Sequence, residues 1–200
     1  MTRSFWAAAA AIAVLAAPAE AASHLPVAGA AAPLPAWIGF CTQEPAECAV
    51  DQAEPAQIPL NRETVELIEA VNRHVNRTLT PITDLAHWQL VDRWNIPSDG
   101  AGDCEDYQLL KRKLLVEAGL PRRALRMTVV LNSQGEGHAV LMVRTTQGDF
   151  ILDNLRPTVL AWNQTGYRFV KRESDTELGW VYFTPVPAQD AAAEVSALFH

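Results

Sequence analysis

Pro97-Ser98-Asp99-Gly100-Ala101-Gly102-Asp103-Cys104-Glu105-Asp106-Tyr107, running on through Leu109, Leu110, Leu114 and Leu115 to Ala118, is the stretch that decides the fold. Its first half collects turn-formers and ends on Asp103, a good helix N-cap, with Asp106 three residues on as a capping-box-like partner. The leucines then carry a helix to Ala118, and Gly119 followed by Pro121 ends it. Cys104 therefore stands in the first turn of a helix that faces the core.

Upstream, Asn61 caps a second predicted helix. Glu63 and Glu66 suit its positive start, Val65, Ile68, Val71 and Val75 recur at helical spacing, and Pro81 stops it. A shorter helical piece is expected over Thr83 to Asp92. Residues 22–59 are rich in Ala and Pro with little periodicity, and are expected as an extended segment laid over the core. Downstream the character changes. Leu125 to Leu131, Ala139 to Arg144 and Phe150 to Leu152 are short β-favouring runs separated by Gln134-Gly135-Glu136-Gly137 and Gln147-Gly148. Thr158 to Leu160, Tyr167 to Val170 and Trp180 to Phe183 are further candidate strands. Helices first and a strand meander afterwards predict an α+β domain over residues 60–187, an antiparallel sheet packed on the cysteine helix. Residues 188–200 are expected to fray.

Arg3, the apolar run Phe5 to Ala17, Pro18 and the small-x-small Ala19-Glu20-Ala21 fit a secretory signal over residues 1–21, too short to be a comfortable permanent span. The protein is then expected in the periplasm or outside the cell. A net charge of −7 leaves no electrostatic footprint for nucleic acid or an anionic membrane, and a soluble monomer is expected. Of three cysteines, Cys41 and Cys48 lie close together, and an oxidising compartment favours their pairing. Cys104 is left over. An inert buried thiol is its plain alternative.

A catalytic cysteine attacks as the thiolate and needs a base for its proton. A helix start favours an anion, and the Cys104 N–H is placed to help bind an oxyanion. His138 begins one strand after the glycine turn, and Asp153 ends the next strand after the Gln147-Gly148 hairpin. Antiparallel pairing brings the start of the first beside the end of the second, so that Asp153 can orient His138. On composition alone His138 is a histidine at a loop tip; the hairpin gives it the second role.

Gly102-Asp103-Cys104-Glu105-Asp106-Tyr107, Gly137-His138-Ala139-Val140-Leu141 and Leu152-Asp153-Asn154-Leu155 together resemble the bacterial transglutaminase-like cysteine peptidases. The likeness extends from about Asn72, through Asp92-Arg93-Trp94 and Pro97, to Gly179-Trp180, and takes in the Cys41 and Cys48 pair. It implies a papain/transglutaminase-like fold and a triad of Cys104, His138 and Asp153. Members of that family act in the periplasm on surface adhesins, under an inner-membrane receptor for cyclic di-GMP, so a periplasmic or cell-surface protein substrate and such a regulator are the partners it implies. It also offers Trp94 as an oxyanion donor, against the commoner role of a packed aromatic lid. The chain departs from those members in a shorter loop before Gly102 and in having Ala139, where they tend to carry methionine. Peptidase chemistry therefore carries over better than the adhesin substrate.

Asp103, Glu105 and Asp106 crowd negative charge around Cys104, which raises a thiolate's pKa against the helix dipole. The triad chemistry needs no cofactor. Calcium held by Asp103 and Glu105, as in the family, would offset that charge; otherwise these acids cap the helix and face water. An EF-hand is excluded, because the twelfth position counted from Asp99 is Leu110. Hydrolysis of a peptide bond by a cysteine peptidase is the expected activity. Acyl transfer to an amine uses the same triad with a different acceptor. A binding module without catalysis is the third possibility, and an intact triad argues against it.

Overall fold

In the computed structural model, which describes residues 23–183, strand β1 (Gly29–Ala31) leads into helix α1 (Pro35–Gln43) and the single turn α2 (Pro45–Cys48). Both helices begin on a proline, at the position where its missing N–H costs nothing. The N-terminal segment is thus partly helical rather than extended, and the Cys41–Cys48 disulfide staples α1 to α2. Trp37 and Phe40 sink into the core from α1. The expectations for residues 1–21 and 188–200 lie outside the described residues.

Helix α3 (Arg62–Thr78) starts where expected, with the Thr64 N–H donating to Asn61 Oδ1 at 2.9 Å. Strand β2 (Thr80–Pro81) follows, then α4 (Asp84–Trp88), capped by Thr83. This helix stops short of the expected Asp92. Gln89 turns left-handed (φ 59°), and the Arg93 N–H folds back onto the Asp84 carboxylate. Strand β3 (Ala101–Gly102) pairs in parallel with β2 and delivers the chain to α5 (Cys104–Glu117).

Helix α5 buries Tyr107, Leu109 and Leu115, but also Glu105, Asp106, Gln108, Lys111 and Arg112. A helix covered over most of its surface, with Lys113 and Glu117 left toward solvent, belongs to the middle of a fold. Gly119, at φ 96°, ends it in the left-handed conformation that glycine adopts without steric cost.

The rest is sheet: β4 (Leu125–Leu131), β5 (Gly137–Thr145), β6 (Gly148–Asp153), β7 (Arg156–Ala161), β8 (Arg168–Glu173) and β9 (Trp180–Tyr182). With β1 they form one sheet in the order β1-β9-β8-β4-β5-β6-β7, every pairing antiparallel. Alternation divides the side chains between two cores. Met127, Val129, Leu141 and Leu152 join Ile68, Leu109 and Leu115 in the main one, while Val130, Val140, Met142 and Ile151 line a smaller one with Phe169. Each fully buried leucine or methionine contributes about 2 kcal/mol. Buried Glu173 crosses the layers, accepting from Trp37 Nε1 (2.7 Å), Arg112 Nη1 (2.7 Å) and the Met127 N–H (3.0 Å). Among the described residues no helix is long and apolar enough to cross a membrane.

Candidate active site

Cys104 is the first residue of α5 and lines a cleft of about 570 Å³ with Asp84, Leu85, Val91, Asp103 and Glu105. Its Sγ donates to Glu105 Oε2 at 3.2 Å and takes a hydrogen bond from the N–H of Ala139, the residue after His138. The start of α5 and the start of β5 therefore meet. Burial, then the charges of Glu105 and Asp103, push the thiol well above its ordinary value, and the Ala139 N–H opposes them only in part.

The hairpin does what its spacing predicted. Pairing from Thr145↔Gly148 to Leu141↔Leu152 brings the beginning of β5 to the end of β6, and His138 Nε2 lies 2.9 Å from Asp153 Oδ1, both residues buried. Asp153 is further held by the Leu155 N–H on Oδ1 (2.9 Å), the Tyr167 hydroxyl on Oδ2 (2.7 Å) and, at 3.7 Å, Arg156 Nε. Burial alone would raise this carboxyl. The His138 contact, then Tyr167 and Leu155, outweigh it, so Asp153 lies below its ordinary value. An ionised carboxylate only accepts, so Nε2 carries the ring proton and Nδ1 is left as the basic nitrogen.

Around the thiol the acids form half of the expected capping box, the Asp106 carboxylate accepting from the Asp103 N–H. Asp103 stands at the N-cap, where its carbonyl accepts from the Tyr107 N–H at 3.2 Å, but its carboxylate makes no capping bond; Oδ2 accepts from the Asp84 N–H at 3.1 Å, and Glu105 shares a side-chain hydrogen bond with it. Asp106 accepts from the Asn95 N–H at 2.9 Å, clamping the preceding loop. Asp84, Asp103 and Glu105 offer oxygens within 4.8 Å of one another. Burial raises Asp84 despite the Arg93 N–H, and burial followed by the Asp103 charge raises Glu105 strongly. Burial also lifts Asp92 to about 6 and Asp106 to about 8. Buried hard oxygens of this kind hold either protons or a cation, and the donor set suits calcium.

Sequence reasoning named Asp103 and Glu105 and missed Asp84. It lies within the helical piece expected from Thr83, and nothing in its spacing announces a meeting with Asp103. Tyr167 was read only as part of a strand. Trp94 takes the packed aromatic role. Its ring packs edge-on against Trp180 in the main core, and its indole N–H donates to Asp92 Oδ1 at 3.1 Å, so the donor an oxyanion would use is already engaged. Lys111, also unforeseen, is fully buried with its Nζ unpartnered; burial lowers it to about 7 against the pull of the Asp153 charge.

Comparison with known proteins identifies the family and similar solved structures. The family model for the bacterial transglutaminase-like cysteine proteinases matches residues 27–186. Among solved structures, calcium-bound LapG from Legionella pneumophila is 27% identical, with 66% of this chain and 77% of that one covered at a TM-score of 0.52. The EGTA-treated form of LapG is 25% identical, with 67% and 76% covered at a TM-score of 0.50. No curated protein matches the chain.

Proposed function

The chain belongs to the bacterial transglutaminase-like cysteine proteinases, and from that premise we propose that it hydrolyses a peptide bond of a periplasmic or cell-surface protein through Cys104, His138 and Asp153. The observation that carries this is the buried His138–Asp153 pair, at 2.9 Å, opening the strand whose next N–H reaches the Cys104 sulfur.

The steps follow from the groups in place. His138 Nδ1 takes the Cys104 proton as Sγ attacks the carbonyl carbon, and the positive start of α5 with the Cys104 N–H faces the oxyanion. The imidazolium, stabilised by ionised Asp153, returns its proton to the departing amine. An acyl-enzyme remains. Water then attacks, His138 removes its proton, and the acid leaves as the Cys104 thiol re-forms. Leu85 and Val91, exposed on the lip of the cleft, offer an apolar contact to the substrate.

Asp84, Asp103 and Glu105 would hold calcium, the ion named for the LapG structure. Bound there, it would supply the positive charge that these crowded carboxylates lack. Export is supported by the apolar residues 5–17 and by the Cys41–Cys48 disulfide. A regulator at the inner membrane is the further partner proposed. The test compares new N-termini in periplasmic proteins from wild-type and Cys104→Ala cells, with incorporation of dansylcadaverine measured alongside. New N-termini that depend on Cys104 support hydrolysis. Identical profiles would sink it, and amine incorporation without cleavage would move the assignment to acyl transfer.

A further inference from the structure

Asp153 makes its hydrogen bond to His138 with Oδ1, and its other oxygen belongs to Tyr167. The phenol O–H donates to Oδ2 at 2.7 Å, while the ring lies 5.7 Å from the His138 ring, tilted by 58°. Tyr167 is itself fixed from three sides. Gly166 takes φ 76°, a left-handed turn that a side chain would strain. The Tyr167 N–H donates to Thr165 Oγ1 at 3.2 Å. The Arg156 guanidinium lies over the ring at 5.4 Å and is anchored on the Thr165 carbonyl at 3.0 Å.

We infer that Tyr167 is a positioning residue, which aims His138 at Cys104 by locking the second oxygen of Asp153. It extends the proposed triad to Cys104, His138, Asp153 and Tyr167, and it rests on that assignment. Without the hydroxyl, Oδ2 is a buried carboxylate oxygen whose nearest remaining donor is Arg156, at 3.7 Å. The carboxylate then swings toward the guanidinium and takes the imidazole out of line. The phenol gives up no proton in this role, because burial and the bond to Asp153 push its pKa up to about 12.

Tyr167→Phe removes one atom and keeps the ring stack. Cys104 is the free cysteine among the described residues, so iodoacetamide reports its reactivity without any peptide substrate. The expected result is alkylation of Cys104 slowed about tenfold at neutral pH, with the melting temperature within a few degrees of wild type. In an Asp153→Asn background the same change should have almost no further effect, since Tyr167 acts only through Asp153. A rate within twofold of wild type overturns the inference. So does a slowing that persists unchanged in the Asp153→Asn background, or one that tracks a collapse in melting temperature. A protein that cleaves no peptide yet shows the Tyr167 effect would instead sink the peptidase assignment alone.

Discussion

Gly102 is a glycine because Asp106 occupies the space a side chain would need. A Cβ at position 102 would sit 2.5 Å from Asp106 Oδ2 and 2.7 Å from its Cβ. Asp106 cannot retreat without releasing the Asn95 N–H that it clamps. Gly102→Ala should therefore cost about 1–3 kcal/mol through overpacking. Denaturant titration is the check, and a midpoint equal to wild type would refute the argument.

Lys111 is a buried cation without a partner, and its effect on stability has a definite sign. A lysine lowered to about 7 in the folded state, from 10.5 in the open chain, carries its full desolvation penalty below pH 7. That penalty is relieved between about pH 7 and 10.5, where the unfolded chain binds more protons than the native one. Lys111→Met should raise stability at pH 6 by an amount on the order of a few kcal/mol. The gain should shrink toward pH 10. Melting curves of both proteins across this range test it, and a gain independent of pH would contradict it.

The acids beside Cys104 act in the opposite direction. Asp84 and Glu105 are raised in the fold, as are Asp92 to about 6 and Asp106 to about 8. Such groups bind more protons folded than unfolded, so they drain stability as pH rises from about 4 toward 8. A cation among Asp84, Asp103 and Glu105 should reverse that drain. The melting-temperature gain on adding calcium to EGTA-treated protein is expected to be larger at pH 8 than at pH 5, and Asp84→Asn should reduce it. An equal gain at both pH values would count against the site.

Trp94 is expected to matter for packing and not for chemistry. Trp94→Phe should keep kcat within about twofold and lower the melting temperature, because the ring supports Trp180 and its N–H serves Asp92. A hundredfold loss of kcat with an unchanged melting temperature would restore its oxyanion role.

What could be read in the sequence was whatever local pattern controls. The α5 start was legible because turn residues precede a leucine-rich run. The His138–Asp153 meeting followed from one short hairpin, since antiparallel pairing leaves little freedom once Gln147-Gly148 is taken as the turn. Helix α1 was hidden, because it is apolar on most sides and shows no stripe, and because prolines that open helices also mark loops. Asp84 reaching Asp103, nineteen residues on, and Tyr167 reaching Asp153, fourteen away across β7, depend on how separate elements dock. No periodicity records such contacts.

Among the described residues strand β1 pairs only with β9, so residues 29–31 find their place beside residues 180–182. The sheet cannot close its β1 edge before β9 has formed, because the first described strand waits for the last. Trp37 likewise waits for Glu173, on β8. The edge of the sheet is therefore closed by a contact of high sequence separation, which is expected to form late in folding.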